Sequence, residues 1–241
     1  ALIAGNTVLA KPSELTPYTA FKLGEICQDS GLPAGVLNII HGQGSVAGDA
    51  LVSHPKIKAV SFTGGTATGK LIAKKTASSF KKLSLEMGGK NPAIIFSDCK
   101  YDTMLDTVTR SSFSNQGQIC LCSSRILIEK SIYDKFKKDF ISRVSELIVG
   151  DPNDEDTQFG ALSSQAHYNK ILDYIDLGKK EGGEILLGGN AVKINGRCKD
   201  GYFIEPTIFQ GLKNSCKTNQ DEIFGPVVTL IPFDTEEDVI R

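Results

Sequence analysis

Residues 114–125 contain a cysteine whose position suits a nucleophile. A helical pattern is predicted to break at Gly117, and Cys120 follows on a turn that we expect to be exposed. A free thiol with an ordinary pKa of about 8.5 is only a few per cent thiolate at pH 7, so a nucleophilic cysteine needs oriented donors or a base. Cys122 would face the other way if the segment is extended. The alternative is an inert thiol, since free cysteines are commonly just buried.

Residues 83–92 contain a carboxylate that could act as a general base. Glu86 interrupts an apolar alternation immediately before two glycines. Apolar surroundings disfavour the charged form of a carboxyl group, which raises its pKa toward the range that general-base catalysis requires. The alternative is a glutamate that points to solvent from an edge strand.

Residues 60–69 could form an anion site. A predicted strand runs into Gly64 and Gly65, and a helix follows. The first backbone N–H groups of a helix lack internal partners and point outward, so they can bind a phosphate, and glycines allow its close approach. The alternative is a plain helix cap by Thr66.

Two weaker patterns also suit a nucleotide. Lys11 and Glu14 follow a predicted strand, where lysine could supply a cation and glutamate could accept hydrogen bonds from ribose hydroxyls. A solvated ion pair is the simpler interpretation of these two residues. The glycines of residues 41–48 read G-x-G-x-x-x-G, so the third is one residue late for the dinucleotide fingerprint. A tight turn explains them without a ligand.

The composition excludes several classes of protein. The 241 residues carry a net charge of −1 and are 40% hydrophobic, which is typical of a globular protein and argues against nucleic acid as the main partner. The apolar runs are far shorter than the roughly 20 residues that span a bilayer. Six cysteines without a C-x-x-C pair and three dispersed histidines predict reduced thiols in a cytoplasmic protein and no metal site.

Short β-branched runs alternate with helical stretches along the chain. We predict helices over residues 19–30, 66–79 and 131–148. We predict strands over residues 7–10, 36–40, 59–62, 93–96, 125–128, 184–187 and 227–231. This alternation predicts a parallel α/β sheet with helices on both faces.

The charge balance changes near residues 88–89. Residues 1–88 include nine basic and five acidic residues, whereas the remainder is acidic overall. A basic first part suits an anionic cofactor, so we place a domain boundary there, with 1–88 as part of a cofactor-binding domain and 89–241 as an incomplete catalytic domain. The chain begins without methionine, directly in an apolar run, and we expect a piece of a longer protein that is truncated at both ends.

Five motifs follow one another in a fixed order. They are GNTVLAKPSE at 5–14, FTGG at 62–65, LEMGGKNP at 85–92, NQGQIC at 115–120 and EIFGP at 222–226. Together they resemble the signature set of the NAD(P)-dependent aldehyde dehydrogenase superfamily, as does the separation of 34 residues between Glu86 and Cys120. Residues 118–126 are most similar to the subgroup that oxidises 2-aminomuconic and 2-hydroxymuconic semialdehydes. The resemblance implies a Rossmann-like cofactor-binding domain followed by an α/β catalytic domain.

The resemblance also implies a role for each matching residue. Cys120 would attack the aldehyde carbonyl, and Glu86 would activate the water that cleaves the resulting thioester. The cofactor would be NAD rather than NADP, because Glu14 suits free ribose hydroxyls and would repel a 2′-phosphate. The residues implied to hold the adenosine ribose, the pyrophosphate and the nicotinamide ribose and ring are Lys11, Ser13, Glu14, Thr63, Gly64, Gly65, Glu222 and Phe224.

Two departures from the family pattern bear on function. Gly65 stands where serine is common, which removes one hydroxyl contact to phosphate. The oxyanion-hole asparagine of the family lies upstream of the Lys11 motif, hence before Ala1. A catalytically incomplete fragment with only a nucleotide-binding or structural role is therefore an alternative, and a thiol hydrolase without a nearby histidine is another. As partners, the resemblance implies a small-molecule aldehyde substrate and a homo-oligomer, either dimer or tetramer, with no nucleic acid and no membrane.

Overall fold

The computed structural model describes residues 1–240, which divide into two compact units. The first unit is Ala1–Met87, and the second begins at Gly88. That the first is part of an NAD-binding domain, and the second an incomplete catalytic domain, stays a prediction.

The first unit alternates short strands with helices. Its elements are β1 (Val8–Ala10), α1 (Tyr18–Asp29), β2 (Leu37–Ile39), α2 (Asp49–Ser53), β3 (Ala59–Gly64), α3 (Thr66–Thr76) and β4 (Lys82–Met87). Strands β1 and β2 form one parallel pair, and β3 and β4 form another. Half-buried and exposed residues alternate along β3, as expected for a strand with one covered face. This pairing puts the ends of β3 and β4 side by side.

The second unit contains the larger sheet. Its helices are α4 (Tyr101–Phe113), α5 (Tyr133–Ser145), α6 (Gln165–Lys180), α7 (Lys217–Gln220) and α8 (Glu236–Ile240). Its strands are β5 (Asn91–Ile95), β6 (Ser123–Glu129), β7 (Glu184–Leu187), β8 (Ala191–Val192), β9 (Phe203–Ile204), β10 (Thr207–Gln210) and β11 (Val227–Phe233). The five-stranded sheet has the order β5-β6-β11-β10-β7, and β8 pairs with β9 separately.

Helices cover both faces of this sheet. Ile208 packs in one hydrophobic cluster with Phe136 and Phe140 of α5, whereas the next residue, Phe209, packs in a second cluster with Ile171 of α6. Successive residues of a strand point to opposite faces, so the two clusters lie on opposite sides of the sheet. All five side chains are completely buried, and the α/β fold with helices on both faces is confirmed.

Several details differ from the predictions. The sheet is not wholly parallel, because β7 runs antiparallel to β10. The predicted helix over 131–148 is shorter: α5 ends at Ser145, and Ile148 is 49% exposed instead of continuing the apolar face. All seven predicted strands are present, β7 with the predicted bounds and the other six with shifted ones, whereas α6 and β10 are among the elements that were not predicted. The apolar residues Tyr168, Ile171, Leu172 and Ile175 of α6 nevertheless recur at helical spacing and pack in the second cluster.

Within residues 1–240, no helix is both long enough and apolar enough to cross a bilayer.

Candidate active site

The turn that carries Cys120 follows an irregular break after α4. Asn115, Gln116 and Gly117 all have positive φ, at 49°, 56° and 71°. Non-glycine residues rarely adopt this conformation, and it is retained when surrounding contacts stabilise it. The Cys122 N–H then donates to the Ile119 carbonyl at 3.0 Å, which closes a turn with Cys120 inside it.

The two cysteines of this segment have different surroundings. The segment is a turn and not extended, so the condition under which Cys122 would alternate with Cys120 is not met. Cys120 is half-buried, whereas Cys122 is only 9% exposed. Burial raises the pKa of the Cys122 thiol, and its Sγ lies 3.7 Å from the Ser114 carbonyl oxygen. Cys122 is therefore a poor source of thiolate near neutral pH.

Gly117 allows the loop that contains the EIFGP motif, residues 222–226, to pack against this turn. Its Cα faces the backbone of Gly225 so closely that an added Cβ would overlap the Gly225 carbonyl. The positive φ at Gly117 is a second reason that a side chain is disfavoured there. The segment 115–120 thus packs, backbone against backbone, on the loop 221–226 that carries Glu222 and Phe224.

The loop 221–226 has its own close contact with the first residues of the second unit. The Glu222 carboxylate lies directly against the Cα of Gly88, in the space that any side chain at position 88 would fill. Phe224 has a φ of 60° and is 36% exposed. A small cavity lies between the loop and the cysteine turn, lined among others by Ile119, Cys122, Glu222 and Phe224.

Helix α6 holds this loop from its other side. The Lys170 Nζ donates to the Glu222 carbonyl at 2.9 Å, and the Tyr174 hydroxyl donates to Asp221 Oδ2 at 2.8 Å. The His167 Nε2 lies 2.6 Å from the Phe224 carbonyl oxygen, which can only accept, so Nε2 carries the proton. Burial lowers the pKa of His167, which favours the neutral ring.

No sequence motif indicated these three residues of α6. They occur at spacings of three and four residues, which place them along one face of a helix. That spacing could have indicated a polar helix face, but nothing in it points to a loop that lies about 50 residues further along the chain.

Lys90 is a half-buried lysine beside this loop. Burial, assisted by the nearby Arg125 guanidinium, lowers the pKa of Lys90 to about 8, although Asp221 and Glu222 oppose the shift. The Arg125 Nε donates to the Lys90 carbonyl at 3.1 Å, which keeps the guanidinium close. Asp221 and Glu222 therefore do not compensate fully for the removal of the ammonium from water.

We expect the Lys90 side chain to titrate with a midpoint of about 8. In protein labelled with ¹³Cε-lysine, one resonance should follow this midpoint and vanish in Lys90→Gln, while Lys199→Gln, at an exposed position, should retain it. Because the pKa of Lys90 is about 8 in the folded chain and 10.5 when unperturbed, the unfolded state binds more protons between these two pH values, and the free energy of unfolding should rise with pH across that window. A resonance assigned to Lys90 that titrates above pH 10 would contradict this expectation.

In the first unit, the Lys11 motif and the glycines of residues 41–48 come together. The Lys11 Nζ donates to the carbonyls of Pro12 at 2.7 Å and Gly42 at 3.0 Å, and it pairs with Glu14 Oε2 at 3.2 Å. The Gly44 N–H donates to Glu14 Oε1 at 3.3 Å. The sequence pattern of the 41–48 glycines showed no such connection, because the contacts span about 30 residues.

These contacts stabilise the ionised form of the Glu14 carboxyl group and hold the Lys11 side chain in place. Hydrogen bonds from the Glu14 backbone, from the Gly44 backbone and from Lys11 keep the pKa of Glu14 below its usual range. The alternative of a Lys11–Glu14 ion pair is thus present in the structure: the Glu14 side chain is 47% exposed, whereas that of Lys11 is 15% exposed because the lysine also binds the two carbonyls. Ser13 Oγ accepts from the Leu15 N–H at 3.2 Å, which shapes the local turn.

The end of β3 leads directly into α3. Gly64 is the last residue of β3, and Gly65 is the N-cap of α3, without any side-chain cap. Capping by Thr66 is therefore the wrong alternative, since Thr66 is already the first helical residue. Gly65 has open space where a side chain would lie, so the uncapped amino end of α3 is accessible.

Glu86 lies beside this helix start. In the parallel pairing of β3 and β4, Glu86 is the register partner of Thr63, just before Gly64 and Gly65. The Glu86 side chain is exposed, so the apolar surroundings expected from the sequence are absent from the described chain. Cys120 lies in the other unit, and the convergence of the thiol and the Glu86 carboxylate stays a prediction.

The comparisons with known proteins agree with the motifs. The sequence profile of the aldehyde dehydrogenase family matches residues 1–241. The chain belongs to the aldehyde dehydrogenase family. The resemblance predicted from the five motifs is thereby confirmed, while the roles of the individual site residues stay predictions.

Relatives within the aldehyde dehydrogenase family include muconic semialdehyde dehydrogenases. The 2-aminomuconic semialdehyde dehydrogenase of Danio rerio is 48% identical over 242 residues, covering 100% of this chain and 50% of that protein. The 5-carboxymethyl-2-hydroxymuconate semialdehyde dehydrogenase of Escherichia coli is 46% identical, with 100% of this chain and 51% of that protein covered. The chain thus spans about half the length of these relatives.

Solved structures of the family have the same fold. Betaine aldehyde dehydrogenase from Staphylococcus aureus, crystallised with NAD⁺, is 42% identical with a TM-score of 0.92, and the match covers 100% of this chain and 48% of that one. HpcC from Thermus thermophilus is also 42% identical, with a TM-score of 0.93 over 98% of this chain and 46% of its own.

Proposed function

We propose that the protein takes part in the NAD-dependent oxidation of an aldehyde to a carboxylic acid, with a semialdehyde of the muconic type as substrate. The observation that carries this proposal is the packing of the Cys120 turn on the loop of Glu222 and Phe224 within one unit. A nucleophile beside residues that suit a nicotinamide ribose and ring is the arrangement that such an oxidation needs.

Several features of the chain fit a dinucleotide. The uncapped amino end of α3 offers free N–H groups and the positive end of a helix dipole, which suit a pyrophosphate beside Thr63, Gly64 and Gly65. Lys11, Ser13 and Glu14 suit a ribose, with the Glu14 carboxylate as acceptor for its hydroxyls. When bound, NAD supplies the acceptor for the hydride that leaves the substrate carbon.

The residues of the chain would act in sequence. The Cys120 thiolate adds to the aldehyde carbon, and the carbonyl oxygen of the resulting thiohemiacetal takes the negative charge, stabilised by the Cys120 backbone N–H. Loss of hydride from that carbon leaves a thioester on Cys120. Glu86 removes a proton from water, the hydroxide adds to the thioester, and the carboxylic acid leaves as the Cys120 thiolate is restored.

The cofactor preference can be tested at Glu14. A carboxylate repels a 2′-phosphate, so we expect clearly tighter binding of NAD than of NADP in calorimetric titrations. Glu14→Gln should reduce the ratio of the NADP and NAD dissociation constants roughly tenfold, which is the effect of about one close charge pair in a solvated site. Glu25→Gln is the matched control, because Glu25 forms the same kind of exposed pair with Lys22. A clear preference for NADP in the unmodified chain would overturn the assignment.

The length of the match favours a second candidate function. Because the chain spans about half of its relatives, the isolated chain could bind a nucleotide without turnover, as a catalytically incomplete fragment. Titration of NAD against the 241-residue chain, followed by an assay for NADH with aldehyde present, separates the two: turnover supports the enzyme, and saturable binding without turnover supports the fragment.

We further propose a homo-oligomer, either dimer or tetramer, located in the cytoplasm. All six cysteines are free in the described chain, which suits a reducing compartment. The net charge of −1 supports a small-molecule aldehyde rather than nucleic acid as the partner. Sedimentation of the complete natural polypeptide that carries this chain tests the oligomer, and a monomer at micromolar concentration would contradict it.

A further inference from the structure

Asn91 connects the first strand of the large sheet to the turn of Cys120. Its Nδ2 donates to the Cys120 carbonyl at 2.6 Å and to the Cys122 carbonyl at 3.3 Å. Both oxygens are acceptors only, so the amide nitrogen, not its oxygen, must face them. One side chain therefore holds the backbone on both sides of Leu121.

The place of Asn91 in the sheet explains why a side chain makes this link. Asn91 pairs with Ser123 at the start of β5, and the register shifts between Asn91 and Pro92. Pro92 has no backbone N–H and cannot donate to β6. At the point where the regular ladder is interrupted, the Asn91 amide supplies donors to the turn that precedes β6.

The link acts on the residues between Gly117, which packs on Gly225, and the start of β6. The turn around Cys120 is closed by a single backbone hydrogen bond, from the Cys122 N–H to Ile119, and follows the left-handed residues Asn115 and Gln116. Leu121, at the tip, is 79% exposed and packs on little. Asn91 therefore supplies two of the hydrogen bonds that hold the backbone around Cys120.

We propose that Asn91 is a positioning residue for the nucleophile, which fixes the turn so that the Cys120 sulfur and N–H keep one geometry. This inference rests on the proposed function of Cys120. Asn91 acts through the backbone of Cys120 and Cys122 and need not contact the substrate. A misplacement of about 1 Å in a reacting group can reduce a rate by roughly 10²-fold, so the effect on catalysis should be large.

The test compares Asn91→Asp with the unmodified protein. Aspartate has the same shape, but its ionised carboxylate cannot donate and would face two carbonyl oxygens. Iodoacetamide labelling followed by trypsin gives the peptide 111–125, in which fragmentation distinguishes alkylation of Cys120 from that of Cys122. We expect Cys122, which is protected by burial, to react at least about tenfold faster in Asn91→Asp, in line with the loss of about one hydrogen bond to the turn.

The catalytic arm uses the complete natural polypeptide that carries this chain. We expect Asn91→Asp to lower kcat for aldehyde oxidation by roughly 10–100-fold, with the KM for NAD unchanged. Asn190→Ala is the matched control, since its exposed amide also donates to two oxygens, of Gly188 and Glu205, and its labelling pattern and kcat should be those of the unmodified protein.

The outcomes separate this inference from the function on which it rests. Unchanged protection of Cys122, or faster labelling with an unchanged kcat, would overturn the positioning role. Full turnover in Cys120→Ala would overturn the proposed function itself, whatever Asn91 does. Asn91→Ala, which removes the donor without adding charge, should reproduce the labelling result, and a normal pattern in that variant would also contradict the proposal.

Discussion

Replacement of Cys120 by alanine is expected to reduce aldehyde-dependent NADH formation by at least about 10⁴-fold, the scale on which nucleophile deletions act. Without the sulfur no thiohemiacetal forms, so hydride loss has no covalent intermediate from which to start. The neighbouring Cys122 cannot take over, because it is buried and burial raises its pKa. The measurement is NADH absorbance in the complete natural polypeptide that carries this chain.

Binding of NAD should survive in Cys120→Ala, since the residues proposed to hold the cofactor are unchanged. A calorimetric titration with a dissociation constant close to that of the unmodified protein would show that the loss is chemical. Cys27→Ala, which removes a free and half-buried thiol from α1, is the control and should keep full activity. Turnover at the normal rate in Cys120→Ala would mean that another group is the nucleophile.

Replacement of Glu86 by glutamine is expected to stop the reaction after hydride transfer. Glutamine cannot accept the proton of the attacking water, so hydrolysis of the thioester should slow by roughly 10²–10⁴-fold while its formation continues. Rapid mixing should then give a burst of NADH followed by a slow steady state. Intact mass spectrometry of the quenched reaction should show the acyl adduct, and digestion should locate it on the peptide that contains Cys120.

Two results would bear against Glu86 as the general base. A quenched Glu86→Gln reaction without covalent adduct would indicate that hydrolysis is not the slowed step. A steady-state rate equal to that of Glu25→Gln, in which an exposed glutamate of α1 is changed, would show that Glu86 has no special role. Because the Glu86 side chain is exposed in the described chain, the comparison with another exposed glutamate is the sharper of the two tests.

Local patterns predicted the parts of the fold that depend on neighbouring residues. The buried face of α5, with Phe136, Phe140 and Val144, follows from its helical spacing, and each is at most 1% exposed. The same spacing failed at Ile148, because the helix had already ended. The antiparallel β7 could not be predicted, since strand direction depends on the path of the chain and not on strand composition.

The amino-acid sequence alone was enough to name the family and to single out Cys120, Glu86 and the cofactor motifs, because a motif of reactive and glycine residues is contained within a few consecutive positions. Folding was required to bring Lys170 to the Glu222 carbonyl, Asn91 to the Cys120 carbonyl and Gly117 to Gly225. Each of these contacts joins residues that are far apart along the chain, at separations that follow no periodicity. Their geometry depends on sheet register and helix placement, which are set by packing of the whole core.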